Sequence, residues 1–231
     1  MKKEEYVYKV FQTVADGYDA ANERISLHRH MKWKRRAARS CCAGTENACS
    51  ILDVGCGTGD MLRLLHEERP EAKLTGLDFS PNMLREAEKN LADIDALRLI
   101  EGDAMHLPFE DALFDCAVIS FALRNTADYA QVLSEMVRVV RPGGRICVID
   151  SFIPECRLIR PAYGFYFSAI MPLLGGGIKR YKQYRWLSRS TKDFVSASGL
   201  QSLMAGQGME EINRKDFMFG ACVCVTGRKR S

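Results

Sequence analysis

The feature that most constrains the fold of this 231-residue chain is a short apolar run that ends in three alternating glycines. Residues 51–60 read Ile-Leu-Asp-Val-Gly-Cys-Gly-Thr-Gly-Asp, and an amphipathic stretch, 61–68, follows directly. This pattern predicts a buried parallel strand, a tight turn and a helix. Glycine permits positive φ and a close approach to the backbone, and the N–H groups at a helix start can receive a carboxylate or hydroxyl. We therefore expect a ligand site at this turn.

The spacing of the glycines narrows the class of ligand. They occupy positions 55, 57 and 59, whereas a dinucleotide site has the spacing G-x-G-x-x-G. Asp53 precedes them, and Asp78 closes the next strand-like run, where an acid can bind ribose hydroxyls. An acid-x-G-x-G-x-G motif followed by a second acid resembles the S-adenosylmethionine (SAM) site of class I methyltransferases. A structural turn in another α/β protein is the alternative.

The rest of the chain alternates strand and helix patterns, which predicts an α/β fold. The expected architecture is a doubly wound, mostly parallel, seven-stranded sheet in one domain, 1–231. We predict strands at 50–54, 73–77, 97–101, 115–121, 145–151, 209–216 and 218–227, and helices at 59–68, 81–92, 128–140 and 191–206. The domain divides into an N-terminal helical cap (1–48), a SAM-binding core (49–151), a lid insertion (152–190) and a C-terminal helix with a closing hairpin (191–231).

Composition places the chain among globular proteins, with 47% hydrophobic and 27% charged residues. No apolar run approaches the ~20 residues that span a bilayer, and the start lacks a signal-peptide core, so a cytoplasmic protein is expected. The nine cysteines form no Cys-x-x-Cys pair and mostly fall in or beside apolar strands. They predict buried free thiols and no metal site, although Cys41 and Cys42 lie in a linker that can expose them.

Positive charge is concentrated in two segments. Residues 24–39 hold seven basic residues and no acid, and residues 155–192 hold eight basic residues and one acid. The remainder has 18 basic and 28 acidic residues. The insertion also combines an apolar run, 163–174, with the basic residues Lys179, Arg180 and Lys182. These features predict peripheral contact with an anionic membrane at the inner face of the cell membrane, while a helix packed on the core with solvated lysines is the alternative.

Further candidate ligand residues stand at predicted strand ends, where open α/β sheets bind ligands. Asp103 can accept from the adenine amino group beside the small Ala104, and Ser120 ends the fourth strand. Thr58 can offer its hydroxyl and N–H to a carboxylate, or it can simply cap the helix. The predicted cofactor-binding residues are Asp53, Gly55, Gly57, Thr58, Gly59, Asp78, Asp103, Ala104 and Ser120.

Several blocks resemble the ubiquinone/menaquinone biosynthesis C-methyltransferase family (demethylmenaquinone methyltransferase type). Ile-Ser-Phe-Ala-Leu-Arg-Asn at 119–125 looks like the signature of that family, which normally has glycine where this chain has Ala122. The blocks that agree with the family are residues 11–22, 33–37, 102–109 and 184–187, with Ser190 and Phe194. Two histidines, His28 and His30, are unusual in the basic helix and are expected to be solvated.

The resemblance implies SAM-dependent methylation of a ring carbon in a lipophilic prenylated quinol, most similar to the conversion of demethylmenaquinol to menaquinol. Among the matched residues we expect Arg124 to stabilise the phenolate and Asn125 to orient a proton-relaying water. Arg124 can instead tie down the loop after strand four, and Tyr181, Tyr184 and Asp150 are weaker candidates for the base. Other small molecules, RNA, or a non-catalytic scaffold are alternatives, although no nucleic-acid-binding appendage is evident. The sequence leaves open naphthoquinol or benzoquinol, prenyl length, the general base and oligomeric state.

Overall fold

The computed structural model describes residues 23–26, 28–45, 49–176 and 190–231. The block at 11–22, the block at 184–187 and the residues Lys179, Arg180, Tyr181 and Lys182 lie outside these described residues.

The helices and strands follow the predicted alternation. The helices are α1 (His30–Cys41), α2 (Asp60–Glu68), α3 (Pro81–Asn90), α4 (Tyr129–Val139), α5 (Arg160–Phe165), α6 (Met171–Gly176) and α7 (Ala197–Gly206). The strands are β1 (Ser50–Val54), β2 (Lys73–Asp78), β3 (Leu97–Glu101), β4 (Phe114–Ser120), β5 (Val140–Ser151), β6 (Met209–Phe217) and β7 (Cys222–Lys229). A π-helical turn, Tyr166–Ile170, joins α5 to α6.

The seven strands form one sheet in the order β3-β2-β1-β4-β5-β7-β6. Strands β1 to β5 pair in parallel, whereas β7 runs antiparallel to both β5 and β6. The predicted mostly parallel, seven-stranded α/β fold is therefore confirmed. The chain moves outward from β1 through β2 to β3 and then returns to β4 on the other side of β1. This reversal opens a crevice at the carboxyl ends of β1 and β4, where open α/β sheets bind ligands.

Helices cover both faces of the sheet. Buried side chains of α1, α2 and α3 share one core with β1 and β2, and those of α4 and α7 share the other with β4 and β5. Ser80 caps α3, because its Oγ accepts a hydrogen bond from Met83 N at 3.3 Å. No helix among the described residues is both long and apolar enough to cross a membrane.

Three element boundaries differ from the prediction. The strand predicted at 218–227 starts only at Cys222, because Met218–Gly220 form a 3-10 turn. β5 begins at Val140, which pairs with Phe114, and residues 141–144 then loop out before Arg145 pairs with Cys116. Residues 141–144 thus form an irregularity within the strand, which Gly143 accommodates with a φ of +75°. The predicted helix 191–206 starts only at Ala197, because Ser196 caps it by accepting from Gly199 N at 3.1 Å.

Eight of the nine cysteines are buried free thiols, as predicted, and Cys156 alone is exposed. The expectation that Cys41 and Cys42 could be exposed is wrong, since their exposed fractions are 0% and 1%. Cys41 ends α1 on its sheet-facing side, and its carbonyl contacts the Cys116 thiol at 3.3 Å. The linker therefore begins after a buried helix end.

Candidate active site

Two neighbouring cavities open beside the carboxyl ends of β1 and β4. The first cavity is lined by residues that follow β1, β2, β3 and β4, namely Gly55, Gly57, Asp78, Phe79, Met83, Asp103, Ala104, Met105, Ser120, Phe121, Asn125 and several apolar neighbours. The second cavity shares four of these residues and extends toward α1 and the insertion. The shared residues are Gly55, Gly57, Ser120 and Phe121.

The glycine turn forms the floor between the cavities. Gly57 has a φ of +55°, and a Cβ placed there would meet no atom of the described residues within 4 Å, so these residues leave its backbone open. A Cβ at Gly55 would lie 2.7 Å from the Ala122 Cβ, which excludes any side chain at Gly55. The residue that caps α2 is Gly59, with a φ of +94°. Thr58, for which a capping role was considered, is not the cap. Gly59 is not among the described residues that line either cavity.

Asp78 connects the glycine turn to the end of β2. Its carboxylate accepts hydrogen bonds from Gly57 N and Ser80 N, both at 2.9 Å, and the residue is 6% exposed. Burial raises the pKa of Asp78, and the backbone donors oppose that rise because they favour the charged form. The side chain lines the first cavity, so its remaining lone pairs are available to a hydroxyl-bearing ligand.

Asp53 lies beneath the turn and is not among the described residues that line the cavities. Its side chain is fully buried, and neither carboxyl oxygen makes a hydrogen bond with a described residue. Burial raises the pKa of Asp53 to about 8, against the opposing attraction of Lys34. Asp53 is therefore not placed to touch a ligand in the first cavity.

This environment predicts a pH-dependent stability contribution from Asp53. The folded protein holds the Asp53 proton up to about pH 8, whereas the unfolded chain releases it near pH 4. Stability from this group is therefore present below the unfolded pKa and is lost as pH rises through the folded pKa. We expect Asp53→Asn to raise the melting temperature relative to wild type increasingly between pH 5 and pH 9. A difference in melting temperature that stays constant with pH would contradict this prediction.

The adenine end predicted at β3 is more open than the rest of the first cavity. The Asp103 side chain is 53% exposed, and its carboxylate accepts from Met105 N at 2.9 Å. Ala104 lines the cavity beside it. Sequence analysis missed three apolar residues in the same wall, Phe79, Met83 and Met105. Their signal is position, because Phe79 directly follows Asp78 and Met105 directly follows Ala104.

The end of β4 separates the two cavities. Ser120 lines both, and its Oγ is buried without a hydrogen-bond partner among the described residues. The next residue, Phe121, has a φ of +57°, which is rare for a bulky side chain and occurs where surrounding structure enforces it. Its carbonyl accepts from Arg124 Nη1 at 2.8 Å and from Asn125 Nδ2 at 3.4 Å.

Arg124 and Asn125 face different cavities. Arg124 lines the second cavity, is 7% exposed, and forms an ion pair with the fully buried Asp150. Asn125 lines the first cavity, and its Oδ1 is buried without a hydrogen-bond partner among the described residues. The bonds of Arg124 to Asp150 and Phe121 hold the loop after β4, which was the alternative role. Contact of Arg124 with a substrate stays a prediction.

The second cavity is walled by α1 and the insertion. Its aromatic and apolar side chains are Trp33, Phe121, Tyr163, Tyr166, Phe167 and Met171. Lys34 reaches it from α1, with Nζ 3.1 Å from the Asp60 carboxylate and 5.9 Å from the Phe121 ring centre. The sequence did not single out Lys34, because it lies within a basic run.

Much of the positive charge on α1 is neutralised by α2. Arg35 pairs with Glu67 at 3.1 Å and Arg39 with Glu68 at 2.8 Å. Together with the Lys34 pair, these contacts show that the segment 24–39 is not a uniformly free basic face. The contribution of this segment to binding a charged surface is therefore smaller than its composition indicates.

The two unusual histidines differ in environment. The His28 side chain is 72% exposed, as expected for a solvated residue. The expectation for His30 is wrong, since the residue is 5% exposed, begins α1 and lines the second cavity. Burial and Lys34 lower the pKa of His30 below its usual value.

The first cavity has the features that SAM requires. It offers a carboxylate beside the glycine turn for ribose hydroxyls, an open backbone at Gly57, and the small Ala104 at the outer end. A doubly wound seven-stranded sheet with this turn and this acid defines a class I SAM-dependent methyltransferase. The chain belongs to the ubiE/COQ5 methyltransferase family, whose model matches residues 1–229.

Relatives and solved structures agree with this assignment. The chain is 40% identical to the demethylmenaquinone methyltransferase of Oceanobacillus iheyensis over 99% of this chain and 97% of the relative. The corresponding protein of Listeria welshimeri is 38% identical over 99% of this chain and 98% of its own length. A methyltransferase solved with the Trm112 activator from Haloferax volcanii superposes with a TM-score of 0.70 at 20% identity, covering 96% of this chain and 98% of its own. A SAM-dependent methyltransferase from Thermotoga maritima gives 0.67 at 21% identity, covering 96% and 100%.

These findings confirm the predicted enzyme class and fold. The protein is a methyltransferase, and SAM is the methyl donor that its family supports. The assignment of individual cofactor residues remains a prediction, although the structure gathers Gly55, Gly57, Asp78, Ala104 and Ser120 around one cavity.

Proposed function

We propose that the protein methylates a ring carbon of reduced demethylmenaquinone to give menaquinol. The observation that carries this proposal is the full-length similarity to demethylmenaquinone methyltransferases. The chemistry requires the reduced form, because a quinol ring is electron-rich whereas a quinone ring is not nucleophilic.

The first cavity holds the cofactor in this proposal. Asp78 receives ribose hydroxyls, Asp103 receives the adenine amino group beside Ala104, and the glycine turn receives the methionine carboxylate. Thr58, on that turn, lines the second cavity and not the first. When bound, SAM supplies an electrophilic methyl group on a positively charged sulfur. The buried hydroxyl of Ser120 lies at the wall shared with the second cavity, where donor and acceptor have to meet.

The second cavity receives the quinol ring. Its aromatic walls suit a fused ring system, and alignment of the acceptor carbon with the methyl group contributes up to ~7–11 kcal/mol to lowering the barrier. Arg124 brings a guanidinium to this cavity, where it stabilises the negative charge that develops on the ring oxygen. Asn125 lines the other cavity, so we now place its role at the cofactor side of the reaction.

A direct assay tests the proposed activity. Purified protein with methyl-labelled SAM is expected to label demethylmenaquinone that has been reduced with dithionite, and mass spectrometry is expected to find menaquinone after reoxidation. A reduced benzoquinone with the same prenyl tail and bulk RNA serve as competing acceptors. Labelling of either competitor in preference to the naphthoquinol would contradict the proposal.

We also propose that the insertion rests on the inner face of the membrane. Its inner face lines the second cavity with Tyr163 and Phe167, while apolar side chains on its outer surface are exposed to solvent. Leu158, Phe165 and Leu173 are 89%, 65% and 51% exposed. A segment that is apolar toward both the cavity and the exterior suits a substrate whose prenyl tail is held in lipid.

The membrane proposal predicts a loss of vesicle binding when the outer apolar surface is made polar. The triple variant Leu158→Ser, Phe165→Ser, Leu173→Ser is expected to lose most binding to anionic vesicles, because it removes the apolar surface that the membrane would bury. Turnover of a short-tailed quinol in detergent is expected to remain near wild type. Co-sedimentation with vesicles measures the first quantity and the methylation assay the second.

A matched control separates this effect from surface polarity in general. Leu113 is 50% exposed and directly precedes β4, so it lies at the opposite edge of the sheet from the cavities. Leu113→Ser is expected to leave vesicle binding unchanged.

Replacement of Lys179, Arg180 and Lys182 by glutamine is expected to weaken binding and reduce its salt dependence. Equal wild-type binding to neutral and anionic vesicles, or none to either, would contradict the proposal.

A further inference from the structure

His30 is the first residue of α1 and lines the second cavity. The segment before α1 is attached to the insertion, because Tyr166 Oη donates to Ile25 O at 2.7 Å and Met171 packs against Ile25 and Tyr166. His30 is thus a buried imidazole in the compartment that receives the acceptor ring. A buried ionisable group facing a cavity is a candidate for proton transfer.

The surroundings of Ser26 fix which imidazole nitrogen carries the proton. Ser26 Oγ lies 3.0 Å from His30 Nδ1, 3.2 Å from His30 N and 3.2 Å from Glu23 O. The backbone N–H must donate to Oγ, and the carbonyl can only accept from it. The single hydroxyl proton therefore goes to Glu23 O, and Nδ1–H donates to Oγ if all three contacts are hydrogen bonds. This arrangement leaves Nε2 with the free lone pair.

The surroundings of His30 also favour the neutral form of its imidazole before the reaction. Burial lowers the pKa of His30 and Lys34 lowers it further, whereas Asp60 and Glu23 oppose this shift. Among the described residues, the charged and titratable groups around His30 are Glu23 and His28 on its own segment, Lys34 and Asp60 from α1 and α2, and Arg124, Tyr163 and Tyr166 on the other cavity walls. Arg124 cannot take the proton, because it is a guanidinium paired with Asp150.

We propose that His30 Nε2 accepts the hydroxyl proton of the quinol, with Ser26 fixing the imidazole; the inference rests on the proposed function. The resulting oxygen anion then donates an electron pair to the ring, and the ring carbon forms a bond to the methyl group. The methyl–sulfur bond breaks, and its electron pair stays on sulfur. Loss of the proton from that ring carbon to water restores aromaticity, and His30 gives its proton back to the oxygen. One proton is released per methyl group transferred.

Variants of the two neighbouring histidines test this role. His30→Gln is expected to lower kcat at least about 10²-fold with little change in SAM affinity, because glutamine cannot accept the proton. His28→Gln is the matched control and is expected to keep wild-type turnover, since His28 is exposed. Wild-type kcat/KM should fall at acid pH, below the usual histidine pKa because burial lowers the pKa of His30, and His30→Gln should lose this dependence. Wild-type turnover in His30→Gln, or an unchanged pH profile, would overturn the inference.

A measurement that needs no turnover keeps this inference separate from the proposed activity. In protein labelled with ¹⁵N-histidine and saturated with S-adenosylhomocysteine, we expect the Nδ1–H tautomer at His30. Addition of 1-naphthol, a phenol that cannot be oxidised to a quinone by simple electron loss, should shift His30 Nε2 and leave His28 unchanged. The opposite tautomer, or an unshifted Nε2, would overturn the role of His30. Inactivity of wild type on the naphthoquinol would instead overturn only the proposed function.

Discussion

Arg124→Ala is expected to lower turnover by about 10²-fold or more while SAM affinity changes little. The guanidinium lines the second cavity, and in the proposed reaction it stabilises charge that develops mainly in the transition state. The same change also leaves Asp150 buried without its partner, which is expected to cost on the order of 3–5 kcal/mol of folding free energy. Chemical denaturation measures the second effect, and kcat together with SAM calorimetry measures the first.

Two milder variants separate catalysis from folding. Arg124→Lys keeps the positive charge beside Asp150 but loses the planar fork that also donates to Phe121 O. Asp150→Asn keeps the shape of the partner and removes its charge. If Arg124 only holds the loop after β4, SAM affinity and kcat should fall together in these variants, because Asn125 on that loop lines the cofactor cavity. A fall in kcat alone supports the catalytic role.

Asp78→Ala is expected to weaken SAM binding by about 1–3 kcal/mol, the cost of losing hydrogen bonds to a charged group. The variant loses a carboxylate that lines the cavity, and it also loses the acceptor of the hydrogen bond from Gly57 N at 2.9 Å. Isothermal calorimetry on the folded variant measures the change. Unchanged SAM affinity would remove Asp78 from the cofactor site.

The strand-end acid of β3 provides a matched control for Asp78. Glu101 is the register partner of Asp78, is exposed, and is not among the described residues that line the first cavity. Glu101→Ala removes the same charge from the neighbouring strand. It is expected to leave SAM affinity near wild type, and an equal loss in both variants would indicate a general electrostatic effect rather than a specific contact.

Strands β1, β2 and β4 could be predicted because each is a mostly buried run with a chemically clear end, whereas β3 and β6 are polar and more exposed. The glycine turn, the Ser80-Pro81 helix start and the alternation of elements are local signals that the tertiary structure preserves. The start of β5 could not be predicted in the same way. Arg141 to Gly144 reads as a turn in isolation, and only pairing with β4 makes Val140 part of the strand.

The site was predictable at strand ends and less so elsewhere. Asp78 and Ser120 follow from the rule that ligands bind at the carboxyl ends of parallel strands. His30 and Lys34 lie in a basic helix whose exposed and buried faces are set by long-range contacts. Their burial depends on how α1 packs on α2 and how the insertion covers both, which no local pattern specifies. The pairing of Arg124 with Asp150 likewise joins residues that are far apart in the sequence, one after β4 and one near the end of the neighbouring strand β5.

Because different parts of the chain form the two cavities, evolution can alter one cavity without the other. In the proposed assignment, the donor compartment is built from the ends of β1 to β4, whereas the acceptor compartment also draws wall residues from α1 and the insertion. Mutations in those appendages can therefore retune acceptor choice while the donor site stays intact. Exchange of the insertion between homologues offers a route to new aromatic acceptors, with Ser120 and Phe121 as the junction to preserve.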